Sequence, residues 1–157
     1  MKIMKKGHYL LVIICLLGFS SFAFIHHEGK NKAEEEAIKD LVLKSYVHGA
    51  FNELDAEAMK KGFHEDFAIY SAKGESISKY PIAVWADGVA KRKANNYDAK
   101  DPKNKWEHKF ASVDVTGGAA QVKIELFNQG KQVYTDYLSL LKFESGWRIV
   151  AKVYNQH

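Results

Sequence analysis

Apolar residues fall along this chain in three regimes. The first is an unbroken run, Tyr9 to Phe19, behind a positive start at Lys2, Lys5 and Lys6. The second begins at Lys32, where Ile38, Leu41, Val42, Ser45, Tyr46 and Gly49 fall on one stripe with Glu34, Glu35, Glu36, Lys39 and Asp40 off it. That spacing predicts an amphipathic helix, with acidic residues at its start and Lys44 and His48 near its end, as the helix dipole favours. A short helix is predicted over about Asp55 to Lys61, capped by Asp55 and stopped by Gly62. Phe63 to Ser71 reads as a strand, Lys73-Gly74 as a turn and Glu75 to Lys79 as a short returning strand. Pro81 opens a third helix, Ile82 to Ala94.

The third regime is alternation. Gly117-Gly118, Gln129-Gly130 and Ser145-Gly146 mark turns between four long strands. Two-residue loops would pair Thr116 with Ala119, Asn128 with Lys131 and Glu144 with Trp147. Counting outward sorts the residues onto two faces. The face expected to cover the helices holds Ala111, Val113, Val115, Ala120, Val122, Ile124, Leu126, Val133, Thr135, Tyr137, Ser139, Leu141, Phe143, Val150, Lys152 and Tyr154. The opposite face is polar in the first two strands. In the last two it carries Leu138, Leu140, Trp147, Ile149, Ala151 and Val153. That apolar row would need a cover, most simply a second copy, so a homodimer through the outer sheet face is expected. A bulge would turn over every strand beyond it.

Composition narrows the classes. The 157 residues are 46% hydrophobic and 27% charged, which suits one folded domain. The single cysteine, Cys15, excludes an intrachain disulfide framework and any zinc site built on several cysteines. Residues 1–23 read as a signal peptide, with Ser21 and Ala23 fitting a small-x-small cleavage site, and residues 24–32 as a flexible leader. The 16 residues from Tyr9 to Phe24 are short for a span and include Gly18, Ser20 and Ser21, so an uncleaved anchor is the lesser reading. A lipoprotein site at Cys15 is disfavoured by Ile14 before it. Export to the periplasm or medium is therefore expected, with no stable membrane insertion after cleavage. Loss of Lys2, Lys5 and Lys6 takes the formal charge from +4 to +1. The basic excess is then no argument for nucleic acid. The basic stretch of residues 91–109 lacks aromatic platforms and reads as a helix end and a mobile loop.

The order of elements resembles the nuclear transport factor 2-like fold, an α+β architecture with a curved antiparallel sheet wrapped around three N-terminal helices to form a cone with a pocket. The local match is to its Putative lumazine-binding family. It is carried by Tyr46-Val47-His48-Gly49-Ala50, Phe63-His64-Glu65-Asp66-Phe67, Tyr134-Thr135-Asp136-Tyr137-Leu138-Ser139-Leu140 and Gly146-Trp147-Arg148-Ile149-Val150-Ala151-Lys152-Val153-Tyr154. The resemblance covers residues 33–156. It implies a fold and not a reaction, since the superfamily holds isomerases, dehydratases, cyclases and non-catalytic modules.

Candidate chemistry centres on Lys152, which interrupts an apolar face. A buried ammonium is costly unless paired, so it is either an anion anchor or tuned amine in the pocket, or a stem along the sheet with its head at the rim. The expected ligand-binding set is Tyr46, Trp85, Tyr137, Lys152 and Tyr154, aromatic bodies with polar tips around one cation. Tyr70 could join them. His64, Glu65 and Asp66 are adjacent in a strand and point different ways, so they form no ready dyad. His48 and His108 are expected to be exposed. Asp136 is expected opposite Lys123 on the outer face. A register error of one would bring it inside as the best candidate base. No metal spacing, phosphate loop or nucleophile elbow is present, and no cofactor is expected. The leading function is non-catalytic binding of a small, partly apolar molecule. The alternatives are a cofactor-free isomerase or dehydratase, and a pure interaction module.

Overall fold

The computed structural model describes residues 31–157. The address and nearly all of the leader, residues 1–30, lie outside them. Helix α1 runs over 31–52, and its part from residue 35 on meets, with α2 (Ala56–Gly62) and α3 (Ile82–Ala94), one six-stranded sheet: β1 (Phe63–Lys73), β2 (Ser76–Pro81), β3 (Trp106–Thr116), β4 (Ala119–Asn128), β5 (Lys131–Phe143) and β6 (Gly146–Gln156). The strand order is β2-β1-β6-β5-β4-β3. Only the β1–β6 boundary is parallel, so the sheet is mixed. No helix among the described residues is long and apolar enough to cross a membrane.

The helices follow their sequence logic. Asp55 caps α2 by accepting from the backbone N–H groups of Glu57 and Ala58 at 3.0 Å. Ile38, Val42, Ser45, Tyr46 and Gly49 of α1 are buried. From Leu43 to Asn52 the helix widens to π geometry, a rare form, with the Glu53 N–H donating to His48 O at 2.8 Å, five residues back. The wider turn brings Phe51 against Tyr46, ring centroids 5.3 Å apart. At Gly62 a Cβ would meet Ser45 Oγ at 1.9 Å, so only glycine lets α2 close on α1.

The segment after α3 is held rather than mobile. The Tyr97 hydroxyl lies 2.8 Å from Phe51 O and 2.9 Å from Asn52 O. The Asn52 side chain accepts from Trp106 N–H at 2.7 Å and donates to Trp106 O at 3.1 Å. The π end of α1 is thereby tied to the start of β3.

The first two long hairpins form as expected, Thr116 facing Ala119 and Asn128 facing Lys131. The third turn is displaced. Phe143 faces Gly146 and Lys142 faces Trp147, because Gly146, at φ 105°, opens β6 instead of closing the loop. Three bulges then reset the faces. Ala111 is the extra residue in β3, Val133 in β5 and Val150 in β6. The Val133 bulge turns β5 over, so Tyr134, Asp136, Leu138 and Leu140 align with Leu126, Ile124, Val122 and Ala120. Trp147 and Ile149 follow them inward. The Val150 bulge turns β6 back, so Lys152 points inward as expected, opposite Leu138 rather than Ser139.

The apolar row expected outside is thus mostly core: Leu138 and Ile149 are fully buried, Leu140 and Trp147 nearly so. The argument for a second copy drawn from that row does not hold. Its cover is the protein's own helices. Val153 does lie outside, half exposed, paired with Tyr137.

This phase predicts unequal costs. Ile149→Ala should destabilise by about 2–5 kcal/mol, the range for a truncated core residue. Val153→Ala should fall within about 0.5 kcal/mol. Urea denaturation of the two variants checks this, and equal costs would contradict the bulge assignments.

Candidate ligand-binding site

Three polar side chains from distant parts of the chain meet inside the cone. Tyr46 comes from the π stretch of α1, Asp136 from β5 and Lys152 from β6. Tyr46 and Asp136 are fully buried and Lys152 is 5% exposed. The Tyr46 hydroxyl donates to Asp136 Oδ2 at 2.5 Å. Lys152 Nζ donates to Tyr46 Oη at 2.6 Å and lies 2.8 Å from Asp136 Oδ1. That last contact is an ion pair without the alignment of a hydrogen bond, and Oδ1 has no hydrogen-bond partner.

The two bulges create this cluster. Without the Val133 bulge Asp136 would face outward with Lys123, whereas it faces Ile124. Without the Val150 bulge Lys152 would leave the core. A buried ammonium and a buried carboxylate each lose several kcal/mol of hydration, roughly, and the loss is tolerable only because they meet.

Burial dominates the acid–base properties. It lowers the Lys152 amine from its ordinary value, with Asp136 opposing. It raises the Tyr46 phenol well above its ordinary range, and the Asp136 charge and hydrogen bond add to this. Tyr134 is raised for the same reason, helped by Tyr154 and Asp136.

Above the ion pair lies a cage of rings. Lys152 Nζ is 4.8 Å from the Tyr46 ring centroid, 5.1 Å from Tyr154, 5.7 Å from Trp85 and 5.8 Å from Tyr134. These are cation–π distances. Trp85, Tyr134, Tyr154 and Lys152 line a cavity of about 420 Å³, with Arg92, Ser71 and Ser78 also on its wall.

Four of the five expected site residues therefore converge: Lys152, Trp85 and Tyr154 on the cavity, and Tyr46 directly beneath Lys152. Tyr137 does not join them. It lies on the outer face of β5, 44% exposed, with Lys123 Nζ 5.6 Å from its ring. The Val133 bulge is the reason: it exchanged Tyr137 for Tyr134 and Asp136. The sequence reading missed Tyr134 and Arg92, and placed Asp136 outside. Only the bulge separates these assignments, and a bulge leaves no mark in the alternation itself.

The remaining candidates lie elsewhere. His64 stacks on Phe143 at 4.8 Å, at the far end of β5 from Asp136. Its Nδ1 accepts from Asp66 N–H at 3.2 Å and lies 3.6 Å from Asp66 Oδ2, a largely exposed carboxylate at the corner after α2. Tyr70 pairs with Lys79 across β1 and β2. His48 pairs with Glu53, 3.2 Å apart, and His108 packs edge-on to Phe110. No cluster among the described residues could hold a metal ion.

A family model described as Putative lumazine-binding matches residues 33–155. The chain belongs to the Putative lumazine-binding family. Its solved neighbours share the nuclear transport factor 2-like fold. One from Shewanella baltica OS155, a protein of unknown function, is 25% identical, with a TM-score of 0.60 over 80% of this chain and 94% of that one. Another from Silicibacter pomeroyi DSS-3, also of unknown function, is 21% identical, with a TM-score of 0.62 over 80% and 98%. A third, from Methylobacillus flagellatus KT, is 25% identical, with a TM-score of 0.56 over 78% and 93%. A search of curated proteins finds no match. In this family member the cone is thus confirmed by fold relatives, and its wall chemistry is read from its own residues.

The Tyr46 phenol gives a pH signature. Its native value lies above its unfolded one, so the native state keeps a proton that the unfolded chain loses above about pH 10. Its contribution to stability is full below that point and falls as pH rises further. Tyr46→Phe should cost about 1–3 kcal/mol at neutral pH, because Asp136 Oδ2 loses its donor. The gap between the two proteins should narrow above about pH 10. Urea midpoints across that range check it; a gap that widens would contradict the assignment.

Proposed function

We propose that this domain binds a small, planar, partly apolar molecule without covalent chemistry, in the cavity above Lys152. The observation that carries this reading is the cage itself: aromatic rings around a buried ammonium at the wall of a 420 Å³ space. That volume lies in the range of small-molecule pockets, roughly 300–1,000 Å³. Ring faces suit a flat ligand, and the few polar groups would orient it. The family description points the same way, since lumazine is a flat bicycle.

A second reading, acid–base catalysis of the isomerase or dehydratase type, draws support from Asp136 lying inside the cone beside Tyr46. Against it, the Asp136 carboxylate is fully buried and engaged by Tyr46 and Lys152. The group on the cavity wall is an ammonium, which is no base while charged. Binding is therefore the stronger reading.

Lumazine titrated into the purified full chain should quench tryptophan fluorescence saturably through Trp85, and Trp85→Phe should remove most of the change. Native mass spectrometry of the freshly purified protein should show a co-purifying small molecule. An empty protein that responds to no planar compound in a broad panel would refute the reading.

Export belongs to the same proposal, supported by the positive start and apolar run of residues 2–19. So does a homodimer through the outer sheet face, carried now by Tyr137, Leu141 and Val153, each between 44% and 50% exposed. Protein recovered from the periplasm or medium should begin at Phe24 and have twice the chain mass by light scattering. A retained N-terminus, or a monomer, would remove the corresponding part.

A further inference from the structure

The donor count at Lys152 says more about the ligand. An ammonium carries three N–H groups. Tyr46 Oη accepts one of them from beneath, and Asp136 Oδ1 meets the ammonium at 2.8 Å as an ion pair without hydrogen-bond alignment. No other polar partner reaches the ammonium among the described residues, and the side chain is 5% exposed and lines the cavity. The charge of the wall is equally one-sided. Lys152 and Arg92 are cationic, and no Asp or Glu lines the cavity. The carboxylate that partly compensates them, Asp136, lies behind Lys152 with no exposed surface.

We infer that the ligand of this cavity is a flat conjugated monoanion of one or two fused rings, its ionised oxygen accepting a Lys152 N–H that Tyr46 and Asp136 leave open. This rests on the binding reading above and specifies the ligand class. A cation would meet Lys152 in a site of low dielectric, where like charges repel strongly. A neutral ring could stack on Trp85 and Tyr154 but would leave the wall's positive excess unmatched. An anion gains a charge-assisted hydrogen bond, about twice as strong as a neutral one. Ser71 and Ser78, paired directly across β1 and β2, offer hydroxyls to a second polar edge. Arg92, exposed on α3, adds attraction from the wall.

The test compares two flat probes of one shape, 2-naphthoate and 2-naphthamide, titrated into the full chain by calorimetry at neutral pH. Naphthoate should bind about tenfold more tightly or better, a difference of about 1.4 kcal/mol, and should weaken with added salt. Arg92→Gln, at an exposed helical position, should weaken naphthoate several-fold and naphthamide much less. Replacing the ion pair together, Lys152→Met with Asp136→Leu, should abolish the preference for the anion. Equal or tighter binding of the amide, or an Arg92→Gln effect on both probes alike, would overturn the inference. If naphthoate fails while neutral planar compounds bind, the inference falls and the binding reading stands. If no planar compound binds, both fall.

Discussion

An ammonium and a carboxylate share the interior of this cone, and much of the architecture follows from their meeting. Lys152 and Asp136 come from neighbouring strands, yet strict alternation from the expected turns would put Lys152 alone inside, and the displaced third turn by itself would put it outside. Each reaches the interior through one extra residue, Val133 in β5 and Val150 in β6. Alone, either charge would be a large liability in a setting lined by Ile124, Leu138 and Phe63. Together, with the Tyr46 hydroxyl between them, they leave one carboxylate oxygen short of a hydrogen bond and the ammonium with Tyr46 as its one hydrogen-bond acceptor among the described residues. A cluster this incompletely satisfied is poor material for stability. It is better suited to a site that a ligand completes.

The π-helical stretch has its meaning in the same place. A regular helix would not set Phe51 edge-on against Tyr46, and the Tyr46 ring would lose one of the surfaces that fix it. Tyr97 and Asn52 then lock the end of that stretch to β3. Gly62 lets α2 approach closely enough to support it. Three features outside the ion pair thus fix the phenol that orients Lys152.

The arrangement also bears on what kind of protein this is. Here Asp136 is spent on Lys152 and Tyr46, and what faces the cavity is a cation in an aromatic cage. The proposed binding of a small molecule rests on that wall. The Putative lumazine-binding family supplies the scaffold, while the cage of Trp85, Tyr134 and Tyr154 around Lys152 supplies the selectivity argued for this chain.

Much of the fold was legible in the amino-acid order. The stripe from Ile38 to Gly49, the Asp55 cap, Pro81 before α3 and the Gln129-Gly130 turn each act through neighbouring residues, so local chemistry determined them. Lys152 was also legible as an oddity, because a lysine in an apolar alternation demands a partner. Its partner was not. Whether Asp136 or Tyr137 faces inward depends on a single inserted residue whose position is set by packing across the sheet. The pattern Val-Tyr-Thr-Asp-Tyr-Leu reads equally well in either phase. The same holds for Trp147 and Ile149, apolar on whichever face they lie. The sequence by itself therefore determined the elements, their order and the anomalous lysine. Tertiary structure decided the phase of β5 and β6, and with it the ion pair and the cavity wall, because side-chain facing is a property of pairing between strands and not of any one strand.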